Sequence, residues 1–296
     1  MISVVIPTYN RRDCLMRLLA SLERQSAQAE EVIVVDDCST DDTAAVVAGH
    51  FPRVTYLRNE ENRGPAVSRN RGIREARGKF IVGLDSDTTV EDVRLLEKVS
   101  EYFGAHPCAT ALAFRLYQPD GKTDDHARWW HPLPVKEYAV SAFATDYFSG
   151  TGYAFRKAEV VAAGLFPEIL YMHYEEVVLA LRLIDRGGAI WYCPEFTVSH
   201  HANAVSRRGQ IRVFYKPRNQ VLVTLLCLPF PAAIGYLVPR MVCNFWRALW
   251  GGYIPDFFRA LVSACHLAAA CLEERTPLSR ETLLRVQRMH RQHRAA

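Results

Sequence analysis

The chain opens on a continuous apolar run, Ile2–Ile6, the pattern of a parallel strand covered on both faces. Leu15, Leu18, Leu19 and Leu22 then recur at helical spacing and predict a helix over Asp13–Gln25. The alternation continues. Glu31–Val35 (EVIVV) reads as a second strand, and Asp41–Ala48 as a helix that Ser39 or Thr40 would cap. Val54–Leu57 reads as a short strand and Gly64–Ala76 as a helix opened by Gly-Pro. Lys79–Leu84 is a fourth strand and Val90–Phe103 another helix. Strands separated by helices of roughly ten to fifteen residues predict βαβ units, hence an α/β fold with a mostly parallel sheet flanked by helices. Such sheets bind ligands beyond the carboxyl ends of their strands. Polar clusters fall there: Pro7-Thr8-Tyr9-Asn10, Asp36-Asp37 and Asp85-Ser86-Asp87.

Residues 106–170 are less regular, with Gln118–Asp125 (QPDGKTDD) a turn or loop. Trp129-Trp130-His131-Pro132 reads either as a substrate-facing aromatic wall or as a hydrophobic plug. Glu175–Asp185 predicts a helix stopped by Gly187-Gly188. From about Ser206 the character changes. Val221–Val238 carries no charge and as a helix would reach roughly 27 Å, but Pro229 and Pro231 argue against one straight membrane span. Arg240, Arg247 and Arg259 then lie among Phe245, Trp246, Trp250, Tyr253, Phe257 and Phe258. That mixture suits a helix lying in a membrane interface, or a helical cap packed on the rest of the chain or on a second copy. Ser279–Arg294 is basic and polar, fit for anionic headgroups.

Composition sharpens the division. The net charge of +4 over 296 residues is an average of unlike parts. From His201 onward there are 14 Lys+Arg against 4 Asp+Glu, leaving 22 against 28 before it. Two parts are expected: a catalytic domain over 1–205 and a helical, membrane-associated extension over 206–296. At 49% hydrophobic and 23% charged, the chain is neither disordered nor a disulfide scaffold. Its eight cysteines form no CxxC pair and read as free thiols of a reducing compartment. No signal peptide is evident at the N-terminus. The expected location is cytoplasmic, peripheral on the inner face of the cell membrane. A basic tail with long apolar runs fits a membrane better than nucleic acid.

The strand ends carry the candidate chemistry. Asp85 and Asp87, one residue apart after a buried strand, can hold a hard divalent cation that in turn binds a diphosphate. Asp36-Asp37 can accept a hydrogen bond from a base N–H or a ribose hydroxyl. Arg63, Arg69, Arg71, Arg74 and Arg77 supply cations near these ends, some for phosphate and some for a solvated helix face.

SVVIPTYNRRDCLMRLLASL, EVIVVDDCSTDDT, NRGPAVSRNRGI, GKFIVGLDSD, SGTGYAFRK…GLFPEILYMHYEE and HHANAVSRR…KPRNQ occur in this order. Together they resemble the family 2 inverting glycosyltransferases of bacteria, which have the GT-A fold, over roughly residues 2–220. The extension is similar to those of members that work on envelope or lipid-linked glycans. The resemblance implies that Pro7, Thr8 and Tyr9 border the nucleotide. Asp37 would bond the uracil or thymine ring with Asp36 beside it, and Arg69 would lie near the diphosphate. Asp85, next to Ser86, would touch the ribose or sugar, while Asp87 ligates Mg²⁺ or Mn²⁺. Gly150-Thr151-Gly152 would floor the acceptor and donor-sugar site. His200, or adjacent His201, would join the metal–diphosphate region. Where the family has Glu-Asp this chain has Glu175-Glu176, so the general base becomes Glu176, with Glu175 the alternative; both could instead be charges favoured at a helix N-terminus. The usual Phe-Asp-Glu is Phe166-Pro167-Glu168.

The expected reaction is a single displacement. A metal at Asp87 stabilises the nucleoside diphosphate leaving group, and Glu176 takes the proton of a glycan or lipid-linked acceptor hydroxyl. A homodimer is a possible assembly. Two other readings stay open: a non-catalytic nucleotide-sugar binder or membrane scaffold, and a sugar nucleotidyltransferase. The second expects a Gly-rich phosphate loop where the chain has Pro7-Thr8-Tyr9-Asn10.

Overall fold

The computed structural model describes residues 1–131, 133–201 and 209–295. Thus Pro132, residues 202–208 of the HHANAVSRR motif and the expected boundary at 205/206 lie outside the described residues. β1 (Ile2–Thr8), β2 (Glu31–Asp36), β3 (Thr55–Arg58) and β4 (Phe80–Leu84) pair in parallel in the order β3-β2-β1-β4. The helices between them are α1 (Arg12–Glu23), α2 (Thr43–His50) and α3 (Pro65–Glu75). The βαβ half matches its hydrophobic pattern because β1 and β4 are buried along their whole length, with α1 burying the leucines the spacing picks out.

Two starts differ from expectation. Ser39 does not cap α2: the helix begins at Thr43, whose N–H and hydroxyl both bond Asp41 Oδ1. The helix expected from Val90 begins at Leu95, as α4 (Leu95–Ala105), since Asp92 accepts the Arg94 N–H on its side chain and the Leu95 N–H on its carbonyl.

Beyond β4 the sheet becomes mixed. β5 (Thr88–Thr89), β6 (Ala109–Tyr117), α5 (Val135–Tyr138), β7 (Phe143–Thr145), β8 (Gly152–Arg156), α6 (Lys157–Ala162), α7 (Glu175–Asp185) and β9 (Ala189–His200) follow. The order continues β4-β8-β6-β9-β5, with β7 against β9. β8 runs antiparallel to β4 and β6, whereas β6 and β9 are parallel. The irregular reading of 106–170 thus conceals three strands. ATALAFRLY is rich in alanine and buried on both faces, so it shows neither alternation nor β-branched enrichment.

The C-terminal part is helical: α8 (Gly209–Cys227), α9 (Phe230–Gly251), α10 (Ile254–Glu273) and α11 (Arg280–Ala295). The uncharged stretch Val221–Val238 is divided between α8 and α9 at Leu228-Pro229. Leu222, Val223 and Leu226 of α8 and Ala264 of α10 share one apolar cluster with Leu170, Tyr174 and Val178 around the start of α7. α11 returns to the sheet domain, where His290 Nε2 lies 2.9 Å from Asp146. Among the described residues one helix, Ile254–Glu273, is long and apolar enough to cross a membrane by length and composition. All eight cysteines are free, and burial pushes the Cys193 and Cys227 thiols up to about 12.

Candidate active site

The strand ends converge on one cleft. Thr8, the last residue of β1, is buried and pairs with Asp36, while Tyr9 emerges into solvent. Asp37 donates its N–H to Thr8 O, which pins the two strand ends together.

The paired aspartates differ in availability. Asp36 is fully buried, and both oxygens are already engaged: Oδ1 by the N–H and hydroxyl of Ser39, Oδ2 by Tyr56 OH and Arg58 Nη1. A carboxylate offers about four acceptor positions, so Asp36 has none left for a ligand. Its expected donor-binding role is corrected to holding the loop, and Ser39 serves the same purpose rather than a helix cap. Asp37 accepts from Asn59 Nδ2 at 2.8 Å and Arg63 N at 3.1 Å on Oδ1, and from Gly64 N at 2.7 Å on Oδ2. One acceptor position remains; nearby, the Tyr171 hydroxyl donates to Asn62 Oδ1 at 2.6 Å.

Arg69 is also placed differently from expectation. It is 3% exposed, and its Nη2 donates to Asp85 Oδ1 at 2.8 Å while Nη1 donates to Glu175 Oε1 at 3.0 Å. Its terminal nitrogens are thus committed to carboxylates from β4 and α7 rather than extended toward a diphosphate. Burial alone lowers a guanidinium pKa, but the charges of Asp85, Tyr153, Glu175 and Glu176 more than offset it and the net shift is upward.

Gly150 lies where these groups meet. Its N–H donates to Glu176 Oε1 at 3.2 Å, and a Cβ there would stand 2.5 Å from both Arg69 Nη2 and Glu176 Oε1, so any larger residue would have to push these side-chain ends aside. Thr151 O accepts from Asp85 N, and Gly152 begins β8 against Leu84. The GTG segment therefore floors the cleft between Asp85 and Glu176. The two glutamates separate: Glu175 is 2% exposed and pairs with Arg69, whereas Glu176 is half-buried on the cleft side. Burial first, and the Glu176 charge second, raise the Glu175 pKa well above the usual carboxylate range, against the opposing pull of Arg69.

A second cluster forms past buried Ser86. The β5–β9 ladder sets Thr88 opposite His200, which brings His200 Nε2 to 3.6 Å from Asp87 Oδ2. The other ring nitrogen donates to Asp125 Oδ2 at 2.8 Å. His201 turns away and bonds Thr89 through its ring, so His200 is the histidine at Asp87. Arg11 pairs with Asp87 as well. Burial would raise the Asp87 pKa, but the adjacent His200 ring and the Arg11 charge hold it below the usual range. His200 Nε2 is buried without a hydrogen-bond partner, aimed at a carboxylate, with Nδ1 oriented by a second carboxylate. That is the donor arrangement of a metal-binding histidine, and the pair fits a divalent ion completed by ligand oxygens.

Thr8, Arg69, Thr151, Tyr153, Glu175 and His200 supply six of the eight partnerless buried side-chain atoms among the described residues. Unsatisfied polar groups gathered around one cleft mark it as the site of chemistry. A cavity of about 540 Å³ lies at the other end of the sheet, against Leu22, Val32 and Phe51, away from these groups.

Arg11, Asp125, Tyr153 and Tyr171 escaped the sequence reading. Asp125 is 75 residues from its partner and sits in a loop, so only the fold reveals it. Arg11 follows the polar TYN cluster of the first strand, which was a signal. The two tryptophans of the pair sit differently. Trp129 plugs the interior, donating to Leu133 O, while Trp130 is 44% exposed and stacks on Tyr147.

Comparison with known proteins bears on the family and the fold. The glycosyl transferase family 2 profile matches residues 3–164. The putative colanic acid biosynthesis glycosyl transferase WcaA of Escherichia coli is 40% identical over 231 residues, 74% of this chain and 77% of that protein. The matches to the first two curated relatives span only 27% and 29% of those proteins' lengths. Among solved structures, the mannosyltransferase PcManGT of Pyrobaculum calidifontis, in complex with GDP-Man and Mn²⁺, superposes with a TM-score of 0.61 at 20% identity, covering 99% of this chain and 85% of that one. TarS 1–349 of S. aureus with UDP-GlcNAc superposes with a TM-score of 0.60 at 19% identity, covering 98% and 91%. With its GT-A architecture and the family profile running from β1 through α6, the chain belongs to glycosyl transferase family 2.

Proposed function

We propose that this protein transfers a sugar from a UDP- or dTDP-linked donor to an acceptor hydroxyl, with inversion, in envelope polysaccharide or glycolipid assembly. The carrying observation is the placement of Glu176. Its Oε1 is fixed by the Gly150 N–H, near Asp85, while Asp87, two residues past Asp85, lies beside His200. A base on one side of a reacting carbon and a charge-neutralising site on the other is what single displacement requires.

Asp37, with its remaining acceptor position, receives the N3–H of uracil or thymine. The UDP-GlcNAc of TarS and the GDP-Man of PcManGT support a nucleotide-sugar donor. Asp85, held by Arg69, takes a ribose or sugar hydroxyl. Asp87 and His200 would hold Mg²⁺ or Mn²⁺, which when bound neutralises charge on the departing diphosphate. Glu176 accepts the acceptor proton, and Trp130 with Tyr147 offers a flat apolar face to the acceptor ring. Membership of the family and the full set of cleft groups favour transfer over a scaffold role.

The extension is assigned to the membrane surface. α9 packs one face, including Asn244 and Ala248, against α8 and α10, and leaves Phe230, Trp246 and Trp250 in solvent among Arg240 and Arg247. The catalytic reading is tested with Glu176→Gln. Turnover should fall about 10²–10⁴-fold while donor binding holds; near-full turnover rejects Glu176 as the base. Thermal shifts with UDP-, dTDP- and GDP-sugars plus Mn²⁺ test the donor, and response to guanine alone rejects the role of Asp37.

A further inference from the structure

We propose that Asn219, with Arg218 and Gln220 beside it, is a positioning residue for the general base and acts through the loop that leads into α7. The inference rests on the reading of Glu176 as that base.

The loop is unusual in its backbone. Tyr171, His173 and Tyr174 take φ angles of 63°, 67° and 73°. Each is a positive φ that residues with a large side chain adopt only when their surroundings impose it. Tyr174 is the N-cap of α7, so the direction in which Glu175 and Glu176 leave the loop is set by these three residues.

Residues 218–220 of α8 impose it. Asn219 is fully buried, and its side-chain amide faces three loop carbonyls: Leu170 at 3.0 Å, Met172 at 2.7 Å and His173 at 2.7 Å. Arg218 Nη2 donates to Ile169 O at 3.0 Å and Leu170 O at 3.1 Å. Gln220 Nε2 donates to Tyr174 OH at 2.6 Å, and its Oε1 accepts from Asn244 Nδ2 of α9 at 2.6 Å. Consecutive side chains of one helix thus hold the carbonyls and the terminal tyrosine of the strained segment. None of the three bonds a residue assigned to the donor. β1, β2 and β4 shape the nucleotide pocket through contacts of their own. Tyr171 of the same loop bonds Asn62 beside Asp37, so loss of the hold should misaim Glu176 and disturb donor binding far less than turnover.

The test uses Asn219→Ala in the full chain, alone and with Glu176→Gln. Asn219→Ala should lower kcat about 10²-fold, as expected for a displacement of the base of roughly 1 Å, and raise the donor KM by far less. It should also speed amide exchange across residues 170–176. In the Glu176→Gln background the same substitution should cost little more. An undiminished kcat, or an equal fall in both backgrounds, overturns the proposal while leaving the base assignment intact. Full turnover of Glu176→Gln alone instead removes the base reading on which it rests. Gln220→Leu, which keeps the buried volume and removes the bond to Tyr174, gives the same comparison if Asn219→Ala does not fold.

Discussion

Arg69 on α3 and Glu175 on α7, 106 residues apart, meet at 3.0 Å in the floor of the cleft. The same guanidinium reaches Asp85, so one side chain ties the parallel half of the sheet to the helix that carries the base. Breaking a buried pair strands a charge, which is costlier than never having built it. Arg69→Met should destabilise the protein by about 3–5 kcal/mol in urea unfolding. A loss near zero would mean the carboxylates find water.

Glu175 gives the pair a pH signature. Burial and the neighbouring Glu176 raise its pKa in the folded state, so the folded protein binds the proton more tightly than the unfolded chain. Its contribution to stability is complete below the unfolded value of about 4.5 and is lost as pH rises above it toward the folded pKa. Glu175→Gln removes this titration. The melting temperature of the wild type should fall relative to the variant as pH climbs above 4.5, and parallel curves would show that Glu175 is not the source.

Asp125 bonds His200 from behind, fixing which ring nitrogen faces Asp87. Asp125→Asn should weaken Mn²⁺ binding about 10–100-fold in calorimetric titration, with the fold unchanged by circular dichroism. Unaltered affinity would place the ion elsewhere.

Trp250, at 84% exposed, and Trp246 are solvent-facing aromatic groups in the carboxyl-terminal half of α9. Replacing both with alanine should abolish sedimentation with anionic phospholipid vesicles, and wild-type binding should weaken with salt. Equal binding by the variant would assign the vesicle contact to another face.

The amino-terminal half was legible because each parallel strand writes a continuous apolar run and each amphipathic helix a spaced one. Ile2–Ile6 and EVIVV needed nothing more. The antiparallel half was not, since β6 is built from alanines and β5 has two residues. The site was legible as a set of strand-end carboxylates, but their division of labour was not. Nothing in Asp36-Asp37 announces that Tyr56 and Arg58 consume the first, and Arg69 reads as a phosphate ligand until Glu175 is found beside it. His200 over His201 is decided by the ladder with β5, a register the sequence does not spell.

The apolar cluster that joins Leu170, Tyr174 and Val178 to α8 and α10 limits how this enzyme can be recombined. A chimera that grafts the carboxyl-terminal helices of one relative onto the sheet domain of another would change the packing under its own base. The exchangeable unit would then begin near Leu170 rather than at the charge boundary near His201.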